Sequence, residues 1–286
     1  MNVAPRYLPT AETAVGLRAP RVLIFDWHGT LVDTRKAMYS AMDDMLARFV
    51  ELDLLPRLVG PGLSKTAEDE RLVEFVRQHR RLPDKIRGAG RLSRTDLFEI
   101  LFGADAEGKR IAHAAYNEAY RHHYGEVRHL HGDEQPVLAA LHAQGIRLAI
   151  ASNRDREFLE RELAVLDGGS WRGLFDVIVC GGDTPNRKPA PDPIIHAVNS
   201  LGRVPDRDCW YVGDAASDVG AARRAGVASV FFNSAGWTPE WLAHYFPGSA
   251  EHPDVPDVVL SDCRELERLI ARLARRSGAH RPHPVD

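Results

Sequence analysis

From residue 133 to 275, short apolar runs alternate with stretches of helical period, and few folds accept such an order. The spacing predicts helix 133–143, strand 146–151, helix 155–166, strand 176–180, helix 192–201, strand 209–213 and helix 217–225. Strand 228–232, a short helix 238–245, strand 257–260 and helix 262–275 close the series. Strand–helix repeats of this kind build an α/β fold in which helices cover a parallel sheet. Arg-Val-Leu-Ile-Phe, residues 21–25, adds a further strand that stops at a polar, glycine-containing turn from Asp26 to Thr30. Its unbroken apolar character suits burial on both faces. Right-handed crossovers bring every strand's carboxyl end to one edge, where ligands bind near the point at which the strand order reverses.

Residues 35–131 have a different character. Ala37, Met38, Ala41, Met42, Met45, Leu46, Phe49 and Val50 recur at helical spacing, and further helices are predicted at 66–80, 95–102 and 107–124. Leu55–Ser64, with Pro56, Gly60, Pro61 and Gly62, reads as a loop, and no strand is predicted in this region. The chain therefore divides into an α/β core of residues 21–34 and 132–275 and a helical insert of 35–131. An N-terminal tail or surface arm, 1–20, and a frayed C-terminal tail, 276–286, complete it.

Composition narrows the function. A hydrophobic content of 44% and a charged content of 27% belong to a soluble globular chain, and a net charge of −3 is too small to draw nucleic acid by bulk attraction. No apolar run approaches the ~18–20 residues that a membrane span requires. Tyr7, Thr10, Glu12 and Arg18 interrupt the basic-then-apolar order of a signal peptide, so a cytoplasmic address is expected. Cys180, Cys209 and Cys263 lie far apart, form no CxxC pair and read as reduced thiols; Cys180 and Cys209, inside apolar runs, are expected to pack in the core. The basic run Arg77, Arg80, Arg81, Lys85, Arg87, Arg91 and Arg94 reads as a solvated helix face. The spacing of His122, His123, His129 and His131 matches no zinc pattern and suggests a surface or hinge role.

Four polar groups follow four of the predicted strands: Asp26, Ser152, Lys188 and Asp214, the last with Asp218 beside it. A parallel sheet would gather them at one edge. An acid able to act as a nucleophile, a hydroxyl donor, a cation and an acidic pair suit phosphoryl transfer, which is largely positioning and neutralisation of charge.

Phe25-Asp26-Trp27-His28-Gly29-Thr30-Leu31-Val32-Asp33 resembles the first motif of the haloacid dehalogenase superfamily, aspartate-x-x-glycine-threonine. Ala151-Ser152-Asn153 is similar to its second motif, Lys188-Pro189 to its third, and Gly213-Asp214-Ala215-Ala216-Ser217-Asp218 to its fourth. The resemblance implies a Rossmann-like core with an inserted helical cap, and a phosphatase of small phosphorylated metabolites. It implies Asp26 as the nucleophile that becomes an aspartyl-phosphate. It further implies Mg2+ held by Asp26, the backbone carbonyl of His28 and Asp214, with Asp218 binding through water or anchoring Lys188. The Ser152 hydroxyl and Asn153 backbone amide would donate to phosphate, Lys188 would neutralise charge, and Thr30 and Asp33 would shape the turn and the cap hinge.

One position departs from the pattern. Most phosphatases of that family carry aspartate two residues after the nucleophile, as general acid and base; here the position is His28. Imidazole, with an ordinary pKa of ~6.5, can both donate and accept near neutrality. Phosphonoacetaldehyde hydrolases resemble Asp26-Trp27 but have alanine two residues on, and use a cap lysine for C–P bond cleavage. Lys65, in Pro61-Gly62-Leu63-Ser64-Lys65, partly matches that lysine and is otherwise a candidate substrate contact. Dehalogenases carry tyrosine there and lack the acidic fourth motif; Asp214 and Asp218 beside Asp26 call for a cation. A binding protein that keeps the fold with impaired chemistry is the other reading that His28 leaves open.

Overall fold

The structure, a computed structural model, describes residues 8–278 apart from 90, 91, 93, 124, 125 and 251. The chain divides into two compact units, Met1–Asp33 with Arg128–Asp286, and Thr34–Val127.

The first unit is built on strands β1 (Val22–Phe25) and β2 (Val32–Asp33) before the second unit intervenes. That second unit holds helices α1 (Arg35–Ala47), α2 (Ala67–His79), α3 (Asp84–Ala89), α4 (Arg94–Phe102) and α5 (Ala106–Tyr120). The first unit resumes with β3 (Arg128–His129), α6 (Glu134–Ala143), β4 (Arg147–Ala151), α7 (Arg156–Val165) and β5 (Val177–Val179). It closes with α8 (Asp192–Ser200), β6 (Cys209–Gly213), α9 (Ala216–Ala225), β7 (Ala228–Phe232), α10 (Pro239–Tyr245), β8 (Val258–Leu260) and α11 (Cys263–Gly278).

Six strands form one parallel sheet in the order β5-β4-β1-β6-β7-β8. From β1 the chain winds outward through β4 and β5 on one side, then returns to β6 and winds through β7 and β8 on the other. The order reverses beside β1, and the turn after β1 lies at that switch point. The α/β expectation is met, and the central strands are buried on both faces as their sequences require. On one face Val22, Ile24, Ala149, Ala151 and Tyr211 pack with Ile194, Ala197 and Val198 of α8 and with Ala221 and Ala222 of α9.

The β8 edge is covered by the arm, and one backbone acceptor of the β5 edge is occupied. The Val259 N–H donates to Pro9 O at 2.7 Å, and Thr10 bridges Val259 in parallel, so the N-terminal arm extends the sheet beyond β8. Ala11, Ala14 and Leu17 of the arm are buried, and Arg272 of α11 donates to the Ala11 carbonyl. On the opposite edge Arg156 donates to Ile178 O of β5 at 3.2 Å. Residues 1–7 and 279–286, the outer parts of the two expected tails, lie outside the described residues.

Two expectations for the insert need correction. Arg128–His129 is a strand, β3, antiparallel to β2 with Val32 opposite His129; a two-residue ladder leaves no period to read. Helix α5 ends at Tyr120 and gives way to a turn at 121–122; of the residues once assigned to its end, 124 lies outside the described ones.

In the helical unit, Thr66 caps α2 by accepting the Asp69 N–H at 3.0 Å, with Glu68, Asp69 and Glu70 in the first turn. Asp105 caps α5 from Gly108 N at 2.9 Å and is locked by Arg57 at 2.9 Å. Three members of the basic run meet acids of the same unit. Arg77 reaches Glu74 and the Val59 carbonyl, Arg81 meets Asp84, and Arg87 meets Asp43 at 2.7 Å; Arg91 lies outside the described residues. No helix among the described residues is long and apolar enough to cross a membrane.

Candidate active site

The turn after β1 folds back on itself, with Leu31 N and Val32 N donating to Trp27 O and Gly29 N to Val32 O. Asp26 is pinned at the strand end by its N–H to Val212 O of β6, at 2.9 Å. Gly29 adopts φ +75°, and a Cβ there would stand 2.0 Å from Asp214 Oδ2. Only glycine allows the turn to lie so close to that carboxylate. Ser234, in the loop after β7, closes the turn from the other side by donating to Gly29 O at 2.8 Å.

Lys188 is the electrostatic centre. Its ammonium lies 2.7 Å from Asp218 Oδ1, 2.9 Å from Asp26 Oδ1 and 2.6 Å from the Tyr211 hydroxyl, which itself donates to Ala151 O. Burial pulls the Lys188 pKa down, but Asp218 and Asp26 outweigh it and hold the amine above its ordinary value. The loop that carries Lys188 is fastened to the second motif by two reciprocal bonds. Lys188 N donates to Asn153 Oδ1 at 2.8 Å, and Asn153 Nδ2 donates to Lys188 O at 2.9 Å. Ser152 is buried and its Oγ accepts the Arg154 N–H at 3.3 Å, which leaves its own proton to donate.

The acidic groups converge as well. Asp26, Asp214 and Asp218 each offer an oxygen within 4.8 Å of the others, the one such metal-competent group among the described residues. Burial, then Asp218 and Asp26, push the Asp214 carboxyl well above its usual range. Burial likewise raises Asp218, against the pull of Lys188. Three carboxylates with one ammonium leave an excess of negative charge in a partly dry site. Asp26 Oδ1 is also buried with no donor aimed at it in hydrogen-bond geometry, although Lys188 is near. Hard oxygen donors and surplus charge fit a small divalent cation. Asp218 is the least available ligand, because its two oxygens already accept from Lys188 and from Ala215 N at 3.0 Å.

Beside this centre lies a carboxylate that sequence reasoning passed over. Glu162 of α7 is 1% exposed, accepts from Trp27 Nε1 at 2.9 Å and Arg154 at 3.0 Å, and lies 2.7 Å from His28 Nε2. Arg154 also stacks over Phe158, and Trp27 meets Trp171 edge to face. A signal was present: Phe158, Leu159, Glu162 and Leu163 form the buried face of α7, so an acid occupies an apolar stripe.

Lys65 belongs to the helical unit and is exposed in its 61–66 loop. His123 pairs with Asp44, His129 with Asp167 and His131 with Glu134, so each of these has its own acid. The three cysteines are free and buried, and burial pushes the Cys180 thiol up to about 12.

A model of haloacid dehalogenase-like hydrolases matches residues 20–226. A protein named for pyrophosphatase PpaX, from Caldanaerobacter subterraneus subsp. tengcongensis, is 32% identical over 54% of this chain and 63% of its own length. A phosphoglycolate phosphatase from Salmonella paratyphi A is 29% identical over 73% of this chain and 80% of its own. A solved structure from Bacteroides fragilis, named for the haloacid dehalogenase-like hydrolases, shares the fold with a TM-score of 0.60. It covers 86% of this chain and 99% of its own at 22% identity.

Proposed function

The chain belongs to the haloacid dehalogenase-like hydrolases, and on that premise we propose that it is a Mg2+-dependent phosphatase of a small phosphorylated metabolite. The observation that carries this reading is the meeting of Asp26, Lys188, Asp214 and Asp218 at the strand-order switch. A phosphatase of this kind would work in the cytoplasm.

Asp26 attacks phosphorus as the ester oxygen leaves, giving an aspartyl-phosphate; water then attacks that phosphorus, and inorganic phosphate departs. Lys188 holds the Asp26 side chain at 2.9 Å and offsets charge on the phosphoryl oxygens. The Ser152 hydroxyl and Asn153 backbone amide donate to those oxygens, while the Asn153 side chain keeps Lys188 in place. His28 protonates the leaving oxygen and afterwards takes a proton from the attacking water. Asp26, Asp214 and the His28 carbonyl would hold Mg2+, with Asp218 reaching it through water; the cation supplies charge neutralisation when bound. Lys65 would contact the part of the substrate beyond the phosphate.

The names of the relatives indicate where to begin: 2-phosphoglycolate and pyrophosphate, followed by a panel of phosphorylated metabolites. Phosphate release with Mg2+ from at least one of them, lost in Asp26→Asn, is the expected result. A wild-type rate no greater than that of Asp26→Asn across the panel would overturn the reading.

A further inference from the structure

We propose that Glu162 is the positioning residue of His28: it seizes Nε2, fixes the imidazole in the Nε2–H tautomer, and makes Nδ1 the nitrogen that exchanges protons. The inference rests on the acid–base reading of His28. The geometry is that of a carboxylate with an obligate donor already on each oxygen. Oε1 receives Arg154, and Oε2 receives Trp27 Nε1 together with His28 Nε2. Arginine stays protonated in proteins and indole N–H only donates, so Glu162 meets two obligate donors and acts as an acceptor. His28 Nε2 must then carry the hydrogen in the 2.7 Å contact, and in the neutral ring the lone pair falls on Nδ1.

The anchorage is rigid. Glu162 and Arg154 are buried, Trp27 is fully enclosed, and the His28 side chain keeps 27% exposure. The Nε2 edge is thus turned into the protein, and the ring cannot rotate without leaving a buried carboxylate one donor short. Proton movement balances at one atom. Nδ1–H gives its proton to the ester oxygen as the P–O bond breaks and the Asp26–phosphorus bond forms. Nδ1 then recovers a proton from water as the water oxygen bonds to phosphorus and the Asp26 carboxylate leaves.

Two measurements on the full chain test this. In 15N-histidine-labelled wild type at alkaline pH, long-range proton–nitrogen correlations, assigned against His28→Gln, should show His28 protonated on Nε2. A ring protonated on Nδ1 overturns the proposal whatever the activity. In Glu162→Gln one acceptor becomes an NH2 that must face either Arg154 or the Trp27–His28 pair, so the hold on the Nε2–H tautomer is lost or weakened. We expect the nitrogen pattern to invert or mix, and kcat to fall about 10²–10⁴-fold with KM changed less than about threefold, the scale of general acid–base catalysis and of tautomer trapping in serine proteases. A folded Glu162→Gln with kcat within about threefold of wild type, while His28→Gln is inactive, overturns the catalytic use of the pair. If His28→Gln itself turns over like wild type, the acid–base reading fails, and the wild-type tautomer still decides whether Glu162 fixes the ring.

Discussion

Gly29 lies against Asp214, which makes it a lever on the site that changes no polar residue. A Cβ at this position would stand 2.0 Å from Asp214 Oδ2, 2.7 Å from Cγ and 3.1 Å from Oδ1, whereas real Cβ contacts essentially never fall below 3.0 Å. Gly29→Ala must therefore drive the carboxylate back by about 1 Å, and a displacement of that size among reacting groups costs about 10²-fold in rate. The positive φ adds a backbone penalty of about 1–2 kcal/mol. Gly226, the αL cap of α9, has the same φ of +75° with nothing within 4 Å of a Cβ, so Gly226→Ala isolates the backbone penalty. Both variants should lose about 1–2 kcal/mol in urea unfolding. Only Gly29→Ala should lose about 100-fold in kcat/KM, together with the rise in Tm that Mg2+ confers. If Gly29→Ala matches Gly226→Ala in both kcat/KM and Mg2+ response, the claim that the turn and Asp214 share one site is refuted.

Removal of Mg2+ with EDTA should abolish turnover, and returning it at about 100 Kd should raise the unfolding free energy by about 2.7 kcal/mol; a wild-type shift that persists in Asp214→Asn would contradict the ligand assignment. Tyr211→Phe strips a buried partner from both Lys188 and Ala151 O, and urea midpoints should report a loss of about 1–3 kcal/mol, against less than about 0.5 if the hydroxyl is idle. Asp176 provides a pH test. Burial pushes its carboxyl up, but Arg147 at 2.9 Å and the Leu148 N–H at 2.9 Å outweigh that and hold it below the ordinary carboxylate value. A lowered folded pKa contributes stability that is present above the unfolded value of about 3.9 and vanishes as pH falls through the folded one. Asp176→Asn should thus be about 0.5–1 kcal/mol less stable at neutral pH, with the gap closing in acid; a gap that widens in acid reverses the sign and defeats the argument.

The parts of this molecule that were legible in the sequence are those whose information is local. β1, β4, β5 and β6 are apolar runs ended by polar turns, and the residues that follow them carry the chemistry, so strand ends and site residues are legible together. β2 and β3 are not, because two residues per strand offer no period, and their pairing joins Val32 to His129 across the whole insert. Helix α3 was also missed: six residues containing a glycine are too few for a hydrophobic stripe. Glu162 was hidden for another reason. Its partners Trp27 and His28 are 135 and 134 residues away, and only the fold shows that an acid on an apolar helix face has three partners waiting. The Asn153 side chain was likewise read for its motif, while its bonds to the Lys188 backbone depend on two loops meeting.

The covering of the β8 margin has a mechanical consequence. A free margin is a template on which another extended segment can lengthen the ladder. Here a newcomer at β8 would have to displace the strap through Pro9 and Thr10, and one at β5 would meet the Arg156 guanidinium already seated on Ile178. Growth of the sheet at β8 into a multichain stack would therefore have to begin with the peeling of that strap. A chain shortened at its amino end should cluster on warming sooner than it loses its helices.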